Sequence, residues 1–484
     1  MTYSMHLNEL LHSFSISSAD ESEITSLCID SRKVTPGAVF FAYPGGAADG
    51  RDFIQAAVES GASAIVYEAL GFELLSSLEI PSFPVQGLQA MVGFAANSFY
   101  REPSSELQVF GVTGTNGKTT CCYLLAQAFT SMGMQAAMMG TIGVGKLDAL
   151  YAAGQTTPDP ISVHRQLAEF RDQAITQVCM EVSSHALDQG RVNGVQFFCS
   201  LFTNLSHDHL DYHGDMQAYA AAKRKLFTDF PVELLITNAN DAMGFSLVEV
   251  AGAEFIVAYG DGGDVYADEV LLEEDGIKLI IEGNGVEFQV ATSLVGKVNI
   301  PNIEMLVATL LALSTSIEDI QTIVAELKPP PGRMELFTID SQPRIVVDYA
   351  HTPDALEKAL LSIRQHCKGE LWCVFGCGGD RDRAKRPVMG AAAEKYADRL
   401  VITNDNPRSE SGAAIAEQII QGIEGDAVIV LDRREAIVQA IAQAKSDDWV
   451  LIAGKGHEST QQVGAESFPF SDREVVSLAL VVAA

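Results

Sequence analysis

The chain has 484 residues, 47% of them hydrophobic, which predicts two to four domains with sizeable cores. Its formal charge of −31, from 63 acidic against 32 basic residues, argues against a broad basic face, so no nucleic-acid partner is expected. No apolar run approaches the roughly 18 residues of a membrane span, and the opening MTYSMHLNELLHSFSISS lacks a basic stretch followed by an apolar block, so no membrane insertion and a cytoplasmic location are expected.

In chain order, residues 1–88 predict a small α/β domain, with apolar segments ITSLCID and AVFFAYP, a helix near DFIQAAVES and a strand AIVYE. Residues 89–328 predict a central domain that opens on the helix QAMVGFAANSFY and closes on the helix PNIEMLVATLLALS and its successor. The segment ELKPPPGR then breaks the pattern, because Pro329, Pro330, Pro331 and Gly332 cannot continue a helix, and it marks a linker. Residues 329–484 alternate strands near RIVVD, LWCVF, RLVIT, AVIVL and WVLIA with helical stretches. No internal repeat interrupts this, and the alternation predicts α/β architecture with mainly parallel sheets. The eight cysteines contain no CxxC pair and mostly sit in apolar stretches such as QVCMEV, so reduced, buried thiols are expected.

The strand LQVFGV, the loop TGTNGKTT and the apolar helix CCYLLAQAFTSMGM form the strand, glycine loop and helix that hold nucleotide phosphates. Backbone N–H groups of Gly114, Thr115, Asn116, Gly117 and Thr120 and the helix N-terminus face phosphate oxygens, Lys118 neutralises charge, and Thr119 can hold Mg²⁺. Val112 stands where the strict pattern has its first glycine.

Two further loops follow strands in this domain: MEVSSH, with Glu181 at the strand end, and NLSHDHLDYHG. Ligands bind at the carboxyl ends of strands in an open parallel sheet, so these loops should converge on the phosphate loop. His207, His209 and His213 invite a zinc reading, but hard oxygen ligands beside a nucleotide favour Mg²⁺. On the helix DMQAYAAAKRKLF, Lys223 falls in the middle of the stripe of Met216, Tyr219, Ala220, Leu226 and Phe227. Either its ammonium is buried at a cost or its stem snorkels to the surface. In the last domain DYAHTPDAL, GCGGDRDRAKRP, NDNPRSE and GKGHE also follow strands, which suggests a second binding surface. The run RDRAKR carries four basic residues against one acid and reads equally as an anion site or a solvated loop. GxGxxG is absent after a first strand in both large domains, which disfavours an oxidoreductase.

GTNGKTT, EVSSH, the DHLDYHG loop and AAK followed by LF occur in this order in the Mur ligases, which the chain resembles over essentially its whole length, most closely the branch that adds a diamino acid. The resemblance implies three α/β domains: a small N-terminal one that binds a UDP-sugar, a central P-loop ATPase-like one and a Rossmann-like C-terminal one. It implies ATP and Mg²⁺, with Lys118, Glu181, His209 and a carbamylated Lys223 as catalytic residues and Thr119, Glu181, His209 and the Lys223 carbamate around the metal. Asn302, Arg333, Asp348 and His351 would border ATP, and domain closure would bring the reactants together. The partner UDP-N-acetylmuramoyl-L-alanyl-D-glutamate would meet Ile29, Ser31, Gly46, Ala47 and Ala48, and Gln155, Thr156, Thr157, Ser183, Gln189 and Arg191; Gln155 replaces a common asparagine and His207 a common arginine. Arg381, Asp405, Asn406, Pro407, Arg408, Gly454 and Glu458 would surround the incoming amino acid. DNPR at 405–408 resembles the members that add meso-diaminopimelate, whose second carboxylate suits a forked guanidinium. A monomer is expected. The rivals are a lysine-adding ligase, a folylpolyglutamate synthetase-like ligase and a P-loop regulator without catalysis.

Overall fold

The computed structural model describes residues 3–46, 48–74, 78–152 and 154–483. It divides into two compact units, residues 1–258 and 259–484.

The first unit contains two parallel sheets. In the smaller one, β1 (Ser26–Cys28), β2 (Ala38–Ala42), β3 (Ala64–Glu68) and β4 (Ser82–Val85) lie side by side in chain order. The run AVFFA has no polar face, and β2 is buried on both sides: Val39 and Phe41 pack with Leu7, Leu10 and Leu11, while Phe40 and Ala42 pack with Ile54 and Ala57. Helix α1 (Leu88–Phe99) covers the first of these faces, its first N–H held by Glu68 Oε2 at 2.8 Å.

The larger sheet uses β5 (Gln108–Thr113), α2 (Lys118–Ser131), β6 (Ala136–Gly140), α3 (Pro160–Asp172), β7 (Gln177–Glu181), α4 (Ser184–Asp188), β8 (Cys199–Phe202), α5 (Met216–Thr228) and β9 (Leu234–Asn238). The five strands are parallel in the order β9, β8, β5, β7, β6. The P-loop strand β5 thus runs between β7 and β8, the two strands whose loops were expected to converge on it. That neighbourhood is what places the site.

The second unit begins with an antiparallel meander, β10 (Val265–Glu273), β11 (Gly276–Gly283) and β12 (Val286–Thr292), that the expectation of helices and parallel strands had not included. Its signals were present: Ile277, Leu279 and Ile281 alternate inward, and Asn284 and Gly285 both adopt positive φ in a two-residue turn. Helices α6 (Ile300–Ala312) and α7 (Ile317–Glu326) follow, and the helix stops short of the three prolines. The chain continues through β13 (Glu335–Phe337), β14 (Arg344–Asp348), α8 (Pro353–Arg364), β15 (Leu371–Phe375), α9 (Lys385–Tyr396), β16 (Arg399–Ile402), α10 (Gly412–Ile420) and β17 (Val428–Ile429). It ends with α11 (Arg433–Gln443), β18 (Trp449–Ala453), the hairpin β19 (Thr460–Val463) and β20 (Glu466–Pro469), and α12 (Asp472–Ala483). The sheet order is β13, β14, β18, β15, β16, β17, parallel except for β13. The four loops expected to form a second binding surface leave β14, β15, β16 and β18 at their carboxyl ends. The cysteines are all free thiols, and only Cys367 is less than buried.

Candidate active site

The glycine loop is held open by its neighbours. Gly114 has φ +149°, and a side chain there would meet Thr203 Oγ1 at 1.9 Å; Gly117, at φ +87°, precedes the first residue of α2. The loop after β8 braces it: Asn204 Oδ1 accepts from Asn116 N–H at 3.0 Å, and Thr203 Oγ1 donates to Asn116 O at 2.6 Å. Thr115 Oγ1 accepts from Ser206 N–H at 2.9 Å and lies 3.2 Å from the Tyr219 hydroxyl. Lys118 Nζ curls back to Gly114 O at 2.8 Å and Thr115 O at 2.9 Å.

Glu181 ends β7 beside this loop, buried. Its carboxylate accepts from Thr119 Oγ1 at 2.9 Å, Thr141 N–H at 2.7 Å and Thr141 Oγ1 at 3.2 Å. Gly140 is required beside it, because a Cβ there would sit 2.2 Å from Glu181 Oε1. The snorkelling alternative for Lys223 fails: the side chain is 1% exposed, donates to Gly114 O at 2.8 Å and lies 4.4 Å above the Tyr219 ring. Lys118 and Lys223 therefore donate to one carbonyl oxygen. Burial first, and then the Lys118 charge, push the Lys223 amine well below the ordinary lysine range. Lys225, on the other side of the helix, is half-exposed and pairs with Asp188 at 3.3 Å.

His209, at φ +53° and 48% exposed, joins this cluster through a ring contact of 6.2 Å with Tyr219. His185 packs 4.9 Å from His209 and 5.4 Å from His213, and burial followed by these neighbours brings it down to about 4, so it is neutral at pH 7. Among the described residues no three His, Cys, Asp or Glu side chains are arranged to hold a metal ion. The paired hydroxyl of Thr119 and carboxylate of Glu181 are hard oxygen donors of the kind that suits Mg²⁺.

A second polar cluster joins most of the central-domain residues expected at a substrate. Arg191 donates from Nε and Nη2 to Gln189 Oε1 at 2.9 and 2.7 Å, and from Nη1 to Gln155 Oε1 and Thr157 O, both at 2.9 Å. Thr157 Oγ1 donates to Glu181 O at 2.7 Å and accepts from Ser183 N–H at 3.0 Å, while the Thr156 and Thr141 hydroxyls are 3.0 Å apart. This cluster therefore touches the Glu181 strand end directly. Tyr43, after β2, was not anticipated; burial pushes it up to about 12, with Asp159 and Arg191 as the charges it feels. The stretches around Ser31 and Gly46 fold as turns. Asp30 accepts from Arg32 N–H at 3.1 Å and Nε at 2.8 Å, and Asp49 repeats this with Arg51 at 3.0 Å for both bonds. Ile29 packs on the core of this region, Gly45 N–H bonds Ala48 O at 2.9 Å across Gly46, and Ala47 lies outside the described residues.

In the second unit, Arg381 and Arg408 approach Gly378 from two loops: a Cβ on Gly378 would lie 2.9 Å from Arg408 Nη1 and 3.7 Å from Arg381 Cγ. Arg408 sits at φ +52°, bonds Gly379 O through Nη1 at 2.8 Å, and pairs its backbone with β19. Asn406 Nδ2 donates to Glu458 Oε2 at 2.9 Å, Gln461 Nε2 donates to Asp405 O at 2.7 Å, and Pro407 O backs onto Gly379. Gly454, at φ +117°, leaves room for Asp405 Oδ2, 2.7 Å from where its Cβ would be. The basic run 381–386 divides: Arg386 is buried in a pair with Glu410 at 2.8 Å, which holds that carboxyl down at about 2, so it braces the loop and is not an anion site. Arg333 lies 4.5 Å over Tyr349, whose ring also meets His351 at 4.6 Å and His457 at 5.1 Å. Asp348, pushed up by burial and opposed by Arg333, accepts from Met334 N–H at 2.8 Å. Asn302 donates to Val298 O at 3.2 Å and Asn299 Oδ1 at 3.0 Å on α6.

The chain matches the models described as Mur ligase family, catalytic domain, over residues 23–100, Mur ligase middle domain over 112–312, and Mur ligase, glutamate ligase domain, over 332–456. It is 43% identical, over 98% of its length and 99% of the relative's, to UDP-N-acetylmuramoyl-L-alanyl-D-glutamate--2,6-diaminopimelate ligase of Coxiella burnetii. Identity to the protein of that name from Chromobacterium violaceum is 46% over 93% of each. A solved structure of a ligase of that name superposes with a TM-score of 0.72 at 33% identity, covering 99% of both chains.

Proposed function

This chain belongs to the Mur ligase family, and on that premise we propose that it is the ATP-dependent ligase that joins meso-diaminopimelate to UDP-N-acetylmuramoyl-L-alanyl-D-glutamate. It is a carbon–nitrogen ligase of peptidoglycan precursor synthesis. The D-glutamate γ-carboxylate attacks the γ-phosphorus of ATP, releasing ADP and forming an acyl phosphate. The amine of diaminopimelate then adds to that carbonyl, and the tetrahedral intermediate expels phosphate and a proton.

The glycine loop, Lys118 and Thr119 hold the transferring phosphoryl group, where positioning and fixed charge supply most of the rate. Mg²⁺, held by Thr119, Glu181, His209 and a carbamate on Lys223, would neutralise phosphate charge. Burial and the Lys118 charge favour the uncharged amine of Lys223, the form that adds CO₂ and loses a proton, and the anion so formed would be attracted to Lys118. Asn302, Arg333, Asp348 and His351 belong to the nucleotide side of this reading. Gln155, Thr156, Thr157, Ser183, Gln189 and Arg191 belong to the dipeptide, and Ile29, Ser31, Gly46, Ala47 and Ala48 to the nucleotide sugar. A cytoplasmic, monomeric protein of three domains completes the proposal.

The observation that carries the choice of amino acid is the approach of Arg381 and Arg408 to Gly378, beside the Asn406–Glu458 pair. The Arg408 guanidinium, with the stem of Arg381 beside it and the Glu458 carboxylate bonded to the neighbouring Asn406, suits an acceptor with a carboxylate and an ammonium at its far end. Lysine would leave the far guanidinium without a partner. Phosphate release should require ATP, the dipeptide substrate and the amino acid together, and should be faster with meso-diaminopimelate than with lysine. The reverse order would overturn the specificity, and release without any amino acid would overturn the ligase reading.

A further inference from the structure

The loop after β18 carries a lysine to which the reaction above gives no role. Lys455 is fully buried, and its ammonium donates to Asn406 Oδ1 at 2.9 Å and to Glu458 Oε2 at 2.6 Å. Gln462 N–H also donates to Asn406 Oδ1, at 3.0 Å, while Asn406 Nδ2 donates to Glu458 Oε2 at 2.9 Å. An amide oxygen that accepts from a cation and an N–H cannot exchange places with its nitrogen, so the orientation of Asn406 is fixed. Glu458 Oε2 is occupied by two donors, and its side chain keeps 30% exposure. Oε1 is then the acceptor left for a ligand's ammonium.

We propose that Lys455 is a positioning residue for the incoming amino acid: from beneath the pocket it fixes the Asn406 amide and keeps Glu458 an oriented carboxylate. The proposal rests on the assignment of these loops to the acceptor. Its logic is that of an outer group that orients an inner one, whose loss typically weakens binding about 10–100-fold. A methionine has similar length and no donor. Lys455→Met leaves the Asn406 amide oxygen held by the Gln462 N–H alone and Glu458 Oε2 with one donor in place of two, so recognition of the ammonium weakens while the P-loop residues keep their own contacts.

The test compares initial rates of phosphate release by the full-length protein, Lys455→Met and Lys455→Gln, with each substrate varied in turn. For Lys455→Met the KM for the amino acid should rise at least about tenfold, with the KM values for ATP and the nucleotide sugar within about twofold of the unmodified protein. Lys455→Gln, which keeps a neutral donor, should fall between. In a Glu458→Gln background, Lys455→Met should add little, because the group it orients is already altered. An unchanged amino-acid KM, a full additive loss in the double variant, or failure of both single variants to show a cooperative thermal transition would overturn the proposal; the last would make Lys455 a folding residue. The amino acid used is whichever supports release by the unmodified protein, so a wrong choice between diaminopimelate and lysine leaves this test intact. If none supports release, the acceptor assignment fails, and the proposal with it.

Discussion

Lys223 illustrates how one residue's surroundings select its chemistry. On α5 the stripe formed by Tyr219, Ala222, Leu226 and Phe227 is buried, and a lysine within it is desolvated, with the Lys118 charge opposing its ammonium more than the Asp208 carboxylate supports it. Its ammonium meets the Gly114 carbonyl and the Tyr219 ring. In the proposed reaction a carbamate would replace this opposed ammonium by an anion beside Lys118. Lys223→Ala should lower phosphate release by about 10²–10³-fold, and added formate or acetate should restore part of it by filling the vacated space with a carboxylate. Full activity of the variant in initial-rate assays would remove the carbamate from the reaction.

At the level of elements, the loops after β16 and β18 are held by an ion pair between two helices. Arg433 opens α11 and Asp472 opens α12; both are fully buried, and they meet through bonds of 2.7 and 2.8 Å. Arg433 also donates to Ala453 O at 2.9 Å and Asn404 O at 3.2 Å, where the chain leaves β18 and β16 toward GKGHE and DNPR. Asp472→Asn leaves a buried guanidinium without its counter-charge, and stability in urea titrations should fall by about 3–5 kcal/mol. Replacing both partners by apolar residues of similar volume should recover most of this, and a loss below about 1 kcal/mol in the single variant would mean that the pair is screened. Such pairs explain what was and was not legible in the sequence. The P-loop, the strands ending at Glu181 and Asp348 and the stripe around Lys223 are local patterns, readable within one segment. Lys455 stood inside the quoted GKGHE, yet its burial is set by Asn406, 49 residues earlier, and Arg433 and Asp472 lie 39 residues apart. The meander was readable from its alternation and its Asn284–Gly285 turn, and was passed over because the parallel α/β pattern dominated on both sides.

For the whole molecule, stability against pH is set by buried groups in both units that act in opposite directions. His164, in α3, is fully buried and pushed down to about 4 from 6.5 by burial, with its Nε2 at 2.9 Å from Asn193 O. Below about pH 6.5 the unfolded chain takes up a proton that the folded one refuses until about pH 4, so this histidine removes stability on acidification. His457, also brought to about 4 by burial, acts the same way. Glu304, on α6, is the reverse case: burial raises its carboxyl from 4.5 to about 7, although Ala267 N–H donates to it at 2.8 Å. Its folded form holds the proton more tightly, so stability falls as pH rises from about 4.5 to 7, and the full penalty persists above that. Glu304→Gln keeps an acceptor for Ala267 without the charge. At pH 8 it should stabilise the second unit by up to about 3 kcal/mol, with little effect at pH 4.5. Amide exchange along α6 and β10 at both pH values measures this locally, so unfolding of the other unit does not obscure it. Equal protection of the variant and the unmodified protein at pH 8 would mean that Glu304 carries no such penalty, and the histidines alone would then set the pH limb.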